Sequence, residues 1–264
     1  MRGRHHVKRN LRTFKSVLIT GATGAIGSAL ARRYAQSGIT LILHGRNQGV
    51  LEQLAGDCRA LGATVVSAAF DVTDIPRLQQ WIHDVDREHA LELVILNHGI
   101  NIHAESGQEE RWDDIDQLID VNVRATLALT GGVLPGMRRR GAGQIALISS
   151  LAAYFGLPMT PSYCASKAAV KAYGEGLRAA VERDGIGVTV VMPGYVDSAM
   201  CRAMPGPKPF LLTADRAAAL IEAGVARNDA RVSFPFPLNL GTWLLAVLPA
   251  SVSIRLLRWM GYRA

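Results

Sequence analysis

Six short runs along the chain are almost continuously apolar: VLIT (17–20), TLILH (40–44), TVVSAAF (64–70), LELVILN (91–97), QIALISS (144–150) and VTVVMP (188–193). Between them lie longer segments with apolar residues at helical spacing, around 25–37, 47–61, 74–89, 110–140 and 161–184. A strand with one wet face alternates apolar and polar residues, whereas a strand covered on both faces does not need to. The order therefore predicts an α/β fold in a single domain, built on a doubly wound parallel sheet with helices on both faces. RVSF (231–234) predicts the last strand.

In such a Rossmann-type sheet, ligands bind at the carboxyl ends of the strands, where the strand order reverses. The polar and glycine residues fall there. Gly21 follows VLIT, Arg46 follows TLILH, Asp71 follows VVSAAF, Asn97 follows LVIL, Ser149 and Ser150 end QIALI, and Pro193 and Gly194 follow VTVVM. No linker-like or repeated segment interrupts Val17 to Pro235, so residues 16–235 read as one domain. Around 195–226, Met200, Met204, Phe210, Leu211 and Leu212 offer an apolar surface to a ligand or to ordinary packing.

The ends differ from this body. Leu238 to Leu248 is strongly apolar but is stopped by Pro249, too short for the ~20 residues of a spanning helix. Ser251 to Tyr262 mixes Val252, Ile254, Leu256, Leu257, Trp259 and Met260 with Arg255 and Arg258, as an interfacial helix would. Three readings compete for the extension 236–264: a lid over the substrate cleft, a subunit interface, or attachment to a membrane surface. At the other end, six of the 29 basic residues lie within residues 1–15 with no acid, leaving 23 basic against 22 acidic residues elsewhere. The formal charge of +7 is thus a property of a flexible basic arm, either solvated or touching anionic lipid, and the nearly neutral body argues against nucleic-acid binding. No apolar run follows the basic start, so no secretory signal is read. Cys58, Cys164 and Cys201 are odd in number and lack C-x-x-C spacing, which argues against a metal site or disulfide framework and fits a cytoplasmic chain, with peripheral contact at the inner face of a membrane as the variant.

The chemistry starts at SVLITGATGAIG (16–27), where Gly21, Gly24 and Gly27 follow the first strand. Glycines let backbone approach a phosphate closely, and the first amides of the next helix offer unpaired donors to it; alone, the same pattern is equally a tight turn. Downstream, SSLAAYFGLPMTPSYCASK sets Ser150 thirteen residues before Tyr163 and Lys167 four residues after it, on the same helix face. An ammonium near a phenol favours the phenolate and lowers a pKa of about 10, which suits proton exchange with a substrate oxygen.

Taken in order, TGATGAIG, FDVTD, LNHG, VNV, SS, YCASK and PGYV resemble the short-chain dehydrogenase/reductases, from Val17 to Val196. Given the apolar residues of 195–226 and of the extension, the resemblance implies nicotinamide-dependent hydride transfer between a ketone and a secondary alcohol on a fairly apolar, lipid-like substrate, with 16–235 as the catalytic domain and 195–226 as its substrate lid. It makes Tyr163 the general acid/base, Ser150 rather than Ser149 the residue that polarises the carbonyl, and Lys167 the ligand of the nicotinamide ribose. Asn122 would hold a water that connects Lys167 to solvent. Cofactor contacts carry over to Gly21, Thr23, Gly24, Ala25, Ile26 and Gly27 at the pyrophosphate, to Asp71 and Val72 at the adenine, and to Asn97 and Gly99 on the adenosine side. Tyr163, Lys167, Pro193, Gly194, Val196 and Ser198 would line the nicotinamide half. Members that prefer NAD place an acid where this chain has Gly45; Arg46 next to it implies NADP(H), with NAD(H) as the alternative. Family members are often homo-oligomers, and the same is expected here.

Three departures stand out. Gly24 and Ala25 have exchanged the places usual in single-domain members, giving a spacing common in the sugar-nucleotide branch, so that either Gly24 supplies the conformational freedom or the pyrophosphate sits slightly differently. No basic residue occupies the Gly24 position to assist Arg46. LNHG replaces NNAG, and His98 is expected to pack or hydrogen-bond beside the cofactor rather than to act as a base. A nucleotide-sugar epimerase or dehydratase, and a non-catalytic, membrane-associated dinucleotide-binding regulator, are the rival functions.

Overall fold

A computed structural model describes residues 11–102, 109–204 and 206–262. The strands are β1 (Ser16–Thr20), β2 (Thr40–Gly45), β3 (Thr64–Ala69), β4 (Leu93–Leu96), β5 (Gly143–Ile148), β6 (Ile186–Pro193) and β7 (Arg231–Phe234). All pair in parallel, in the order β3-β2-β1-β4-β5-β6-β7, so the switch point lies between β1 and β4. The connecting helices are α1 (Ala25–Tyr34), α2 (Gln48–Ala60), α3 (Ile75–His89), α4 (Trp112–Ile119), α5 (Ala125–Arg140), α6 (Pro161–Val181), α7 (Ala199–Ala203) and α8 (Ala214–Ala226). A pair of short helices, α9 (Leu238–Val247) and α10 (Ala250–Trp259), ends the chain.

Alternate strand positions feed two separate cores, which is why the strands read as unbroken apolar runs. Val17, Ile19, Leu41, Leu43 and Ile95 pack with residues of α1, α2 and α8, such as Leu30, Leu54 and Ile221. Leu18, Ile42, Val94, Ile145 and Leu147 pack on the opposite face with Leu78 and Ile82 of α3, Leu129 and Val133 of α5 and Val170 of α6. Helix starts are fixed locally: Asn47, Asp74 and Thr213 each accept a hydrogen bond from the backbone N–H three residues on, and Pro161 opens α6.

Two expectations are refined. The segment 110–140 is not uniform, because a π-helical turn over Asp120–Arg124 separates α4 from α5. The arm is not flexible over all of 1–15. Residues 1–10 lie outside the described residues, but Arg12 donates to the Gly143 carbonyl and to Gln144 Oε1, both at 3.3 Å, Phe14 is buried, and the Lys15 N–H donates to Glu92 at 2.6 Å. These contacts seal the amino-terminal edge of the sheet, a role invisible in a run of basic residues.

Candidate active site

The carboxyl ends of the strands open into a cavity of about 1360 Å³. Its wall holds Gly21, Thr23, Gly24, Ala25 and Ile26 from the first turn, Arg46 beyond β2, Asp71 and Val72 beyond β3, and Asn97 and Gly99 beyond β4. Ser150, Tyr163, Lys167, Pro193, Gly194, Val196 and Ser198 complete it on the other side of the switch point. Gly27 and Asn122 stand behind the wall.

In the glycine turn the freedom lies at Gly21, with φ +60, and not at Gly24, which has φ −76. A Cβ on Gly21 would sit 2.8 Å from the His98 Cα, and one on Gly27 would sit 2.3 Å from the Gly21 carbonyl oxygen. These two glycines let the turn close on itself and on β4, whereas Gly24 meets only Gly21 oxygen, at 3.3 Å. The displaced middle glycine is therefore not what allows the turn. No side chain caps the N-terminus of α1, so its first amides face the cavity as donors, and Arg46 is exposed at the rim. These features fit the pyrophosphate of a dinucleotide. Burial alone would raise the Asp71 carboxyl, but hydrogen bonds from the Thr73 backbone and hydroxyl, then Arg46 and His44, hold it below the usual range.

His98 is fully built into the protein. Its Nδ1 lies 2.7 Å from Thr20 Oγ1 and its Nε2 3.2 Å from Thr126 Oγ1. The Thr126 hydroxyl donates to the Asn122 carbonyl at 2.8 Å, so it accepts from Nε2–H, and Nδ1 accepts from Thr20. Burial, reinforced by His44 and Lys167, lowers the His98 pKa to about 3. It is a neutral hydrogen-bonding residue, as expected. Asn122 is buried in the π turn, where its Nδ2 donates to the Ile100 carbonyl and to Ser166 Oγ, and its Oδ1 accepts from Ile100 N–H. Gly99 leaves room for it against Lys167 behind the wall: a Cβ there would lie 3.2 Å from both Asn122 Oδ1 and Lys167 Nζ.

Ser149 and Ser150 separate cleanly. Ser149 Oγ is buried and donates to the Lys167 carbonyl at 2.7 Å. Ser150 is half-buried, accepts from Ala152 N–H at 3.1 Å and donates to the Pro193 carbonyl at 3.5 Å, beside the Tyr163 phenol. The expected lowering of the phenol by Lys167 is absent in the protein by itself. Burial pushes Tyr163 up to about 12, with Ser150 acting in the opposite direction. The lysine ammonium is 5.7 Å from the ring centroid and donates instead to the Ile148 carbonyl at 3.0 Å. Desolvation lowers Lys167 to about 8.

The substrate half is walled by two segments whose roles the sequence left open. The segment expected to form a lid is pinned at its base by the Asp197 N–H to Leu212 carbonyl and Leu212 N–H to Tyr195 carbonyl bonds. Of its apolar residues, Met200 and Met204 line the cavity, Leu212 packs on the core, and Phe210 and Leu211 are exposed. From the extension, Leu245, Leu257 and Tyr262 are buried against Phe155, Leu157 and Met159. Tyr262 Oη lies 3.1 Å from Tyr195 Oη, joining the end of the extension to the loop after β6. The inner side of α9 and α10 is thus a wall of the cavity. Among the described residues no cluster could hold a metal, and all three cysteines are free and buried.

Residues 15–206 match the family model described as short chain dehydrogenase. An uncharacterized oxidoreductase of Myxococcus xanthus is 34% identical over 238 residues, covering 90% of this chain and 94% of that one. A dehydrogenase/reductase SDR family protein 7-like of Anopheles gambiae is 34% identical over 199 residues, 70% of this chain, which spans 60% of that longer relative. A short-chain dehydrogenase from Sphingobium yanoikuyae, solved in complex with NADPH, shares the fold with a TM-score of 0.75 at 24% identity, over 89% of this chain and 96% of that one.

Proposed function

The chain belongs to the short-chain dehydrogenase family and is an oxidoreductase, and from that premise we propose that it uses NADP(H) to interconvert a ketone and a secondary alcohol on a fairly apolar substrate. The observation that carries this reading is the convergence of Ser150, Tyr163 and Lys167 on one cavity, beside an uncapped helix N-terminus and a glycine turn. Gly21, Thr23, Gly24, Ala25 and Ile26 would hold the pyrophosphate, Asp71 and Val72 the adenine, and Arg46 the 2′-phosphate. The bound cofactor supplies or accepts the hydride. Tyr163 transfers the proton to or from the substrate oxygen, and Ser150 donates a hydrogen bond to the same oxygen. Lys167, still cationic below about pH 8, stabilises the tyrosinate when the proton leaves. Asn122 fixes the Ile100 backbone and the Ser166 hydroxyl behind this group.

Leu238, Leu244, Leu245, Leu256 and Met260 on the substrate wall favour an apolar carbonyl over a nucleotide sugar. The preference for NADP(H) rests on Arg46 and is in keeping with the NADPH bound by the Sphingobium neighbour. The test is NADPH consumption against a panel of aliphatic and aromatic ketones, with Tyr163→Phe as control. Turnover retained in Tyr163→Phe defeats the mechanism. NADPH binding without hydride exchange across the panel points to a regulatory protein instead.

A further inference from the structure

Helices α9 and α10 have two faces. The inner one is buried against residues 155–159, and Ser253 Oγ ties the helices together by donating to the Leu245 carbonyl at 2.8 Å. The outer one exposes Leu240, Trp243, Val247, Ile254 and Trp259, the last 84% exposed, and Phe236, 76% exposed just before α9, shares a shallow groove with Leu240, Trp243, Tyr154 and Arg231. A patch of this kind is an interaction surface rather than scattered apolar residues.

Charge selects the occupant. Residues 236–262 contain Arg255 and Arg258, both exposed, and no acid. A second copy docked on this face about a two-fold axis would bring its own two arginines against these, whereas an anionic bilayer surface complements them. Two tryptophans and two arginines on short helices suit the headgroup region, where indole rings and guanidinium groups are both satisfied. No helix among the described residues is long and apolar enough to cross a membrane, so contact would be with one leaflet.

The cavity reaches the same surface. Leu244, Leu256 and Met260 line it and are also exposed, at 46%, 37% and 43%. We propose that the outer face of α9 and α10 docks on an anionic bilayer, and that the mouth at Leu244, Leu256 and Met260 admits a long-chain ketone or alcohol directly from the lipid. The docking stands on the surface alone; the choice of substrate rests on the reductase reading above.

The test uses the full chain, with sedimentation on vesicles of phosphatidylcholine, alone and mixed with phosphatidylglycerol. Binding to the mixed vesicles is expected, with blue-shifted tryptophan emission and weakening as salt is raised. The double variants Trp243→Ser/Trp259→Ser and Arg255→Glu/Arg258→Glu should each bind roughly tenfold or more weakly. Both should keep turnover of a short soluble ketone and lose turnover of a long-chain ketone presented in the mixed vesicles. Wild-type protein that ignores the vesicles, variants that bind as wild type does, or a wild-type dimer that both double variants convert to monomer would each overturn the docking. If soluble ketones are not reduced by any form while vesicle binding follows the variants, the reductase reading fails and the docking stands.

Discussion

The Lys167 ammonium nitrogen lies 5.7 Å from the centre of the Tyr163 ring and is held by the carbonyl of Ile148, the last residue of β5. One helical turn brings the pair to the same cavity, but the strand carbonyl anchors the lysine, and burial keeps the phenol protonated. The proposed role of Tyr163 as proton donor to a carbonyl oxygen would start from this protonated state.

Tyr163→Phe removes that proton and leaves the ring. Turnover is expected to fall roughly 10²- to 10⁴-fold. NADPH affinity, measured by fluorescence titration, should stay close to wild type. Ser150→Ala should lower turnover in the same sense, because its hydroxyl lines the cavity beside the phenol; Ser149→Ala should instead lower stability by loosening the Lys167 backbone.

Arg46→Asp tests cofactor choice. An exposed arginine contributes little to the fold, but a charged hydrogen bond to a phosphate is worth roughly 1.5–3 kcal/mol. Loss of the arginine should therefore weaken NADPH by about 10- to 100-fold, while the new acid improves or preserves NADH. Equal NADPH affinity in both proteins would remove Arg46 from the site.

His98 makes stability depend on acid. Its pKa is lowered to about 3 in the folded protein against 6.5 when unfolded, so between these values the unfolded chain binds more protons and stability falls as pH falls. His44, lowered to about 4 by burial, acts in the same direction. His98→Ala should be less stable at neutral pH, because Thr20 and Thr126 lose their partner, yet lose less on going from about pH 6.5 toward pH 4. Urea unfolding across that range measures the slope; an unchanged slope would assign the acid sensitivity elsewhere.

These predictions also separate what the sequence carries from what folding adds. The strands and the residues at their carboxyl ends were legible because burial on both faces leaves a local, periodic record. Tyr163 and Lys167 were legible because one helical turn is a fixed distance. The π turn at Asn122 left no such record, and neither did the Thr20–His98–Thr126 chain, whose members lie 78 and 28 residues apart. Arg12 reached its partners 131 and 132 residues away, so composition alone made it look like part of a solvated arm. The extension was ambiguous for a related reason: its two faces serve different surfaces, and a count of apolar residues cannot divide them.

The glycine turn offers the sharpest division between fold and site. Gly21→Ala would force a methyl group to φ +60, costing about 1–2 kcal/mol, and would drive it to within 2.8 Å of the His98 backbone. Gly24→Ala meets no backbone strain, because φ is −76, and asks only that the Gly21 carbonyl oxygen, 3.3 Å away, give by a few tenths of an ångström. Its cost is that of a poorer helix start, about 1 kcal/mol, or roughly 2–4 °C in Tm for a chain of this size. Yet Gly24 lines the cavity beside the free amides of α1, so the added methyl group should cost NADPH affinity tenfold or more, by the same close-approach argument that places glycine next to a pyrophosphate. Thermal unfolding and cofactor titration on both variants decide it: Gly21→Ala should fail mainly in folding, and Gly24→Ala mainly in binding. If Gly24→Ala bound NADPH as wild type does, the phosphate would have to lie nearer the backbone of Gly21 and Thr23, and the unusual spacing would carry no consequence for the cofactor.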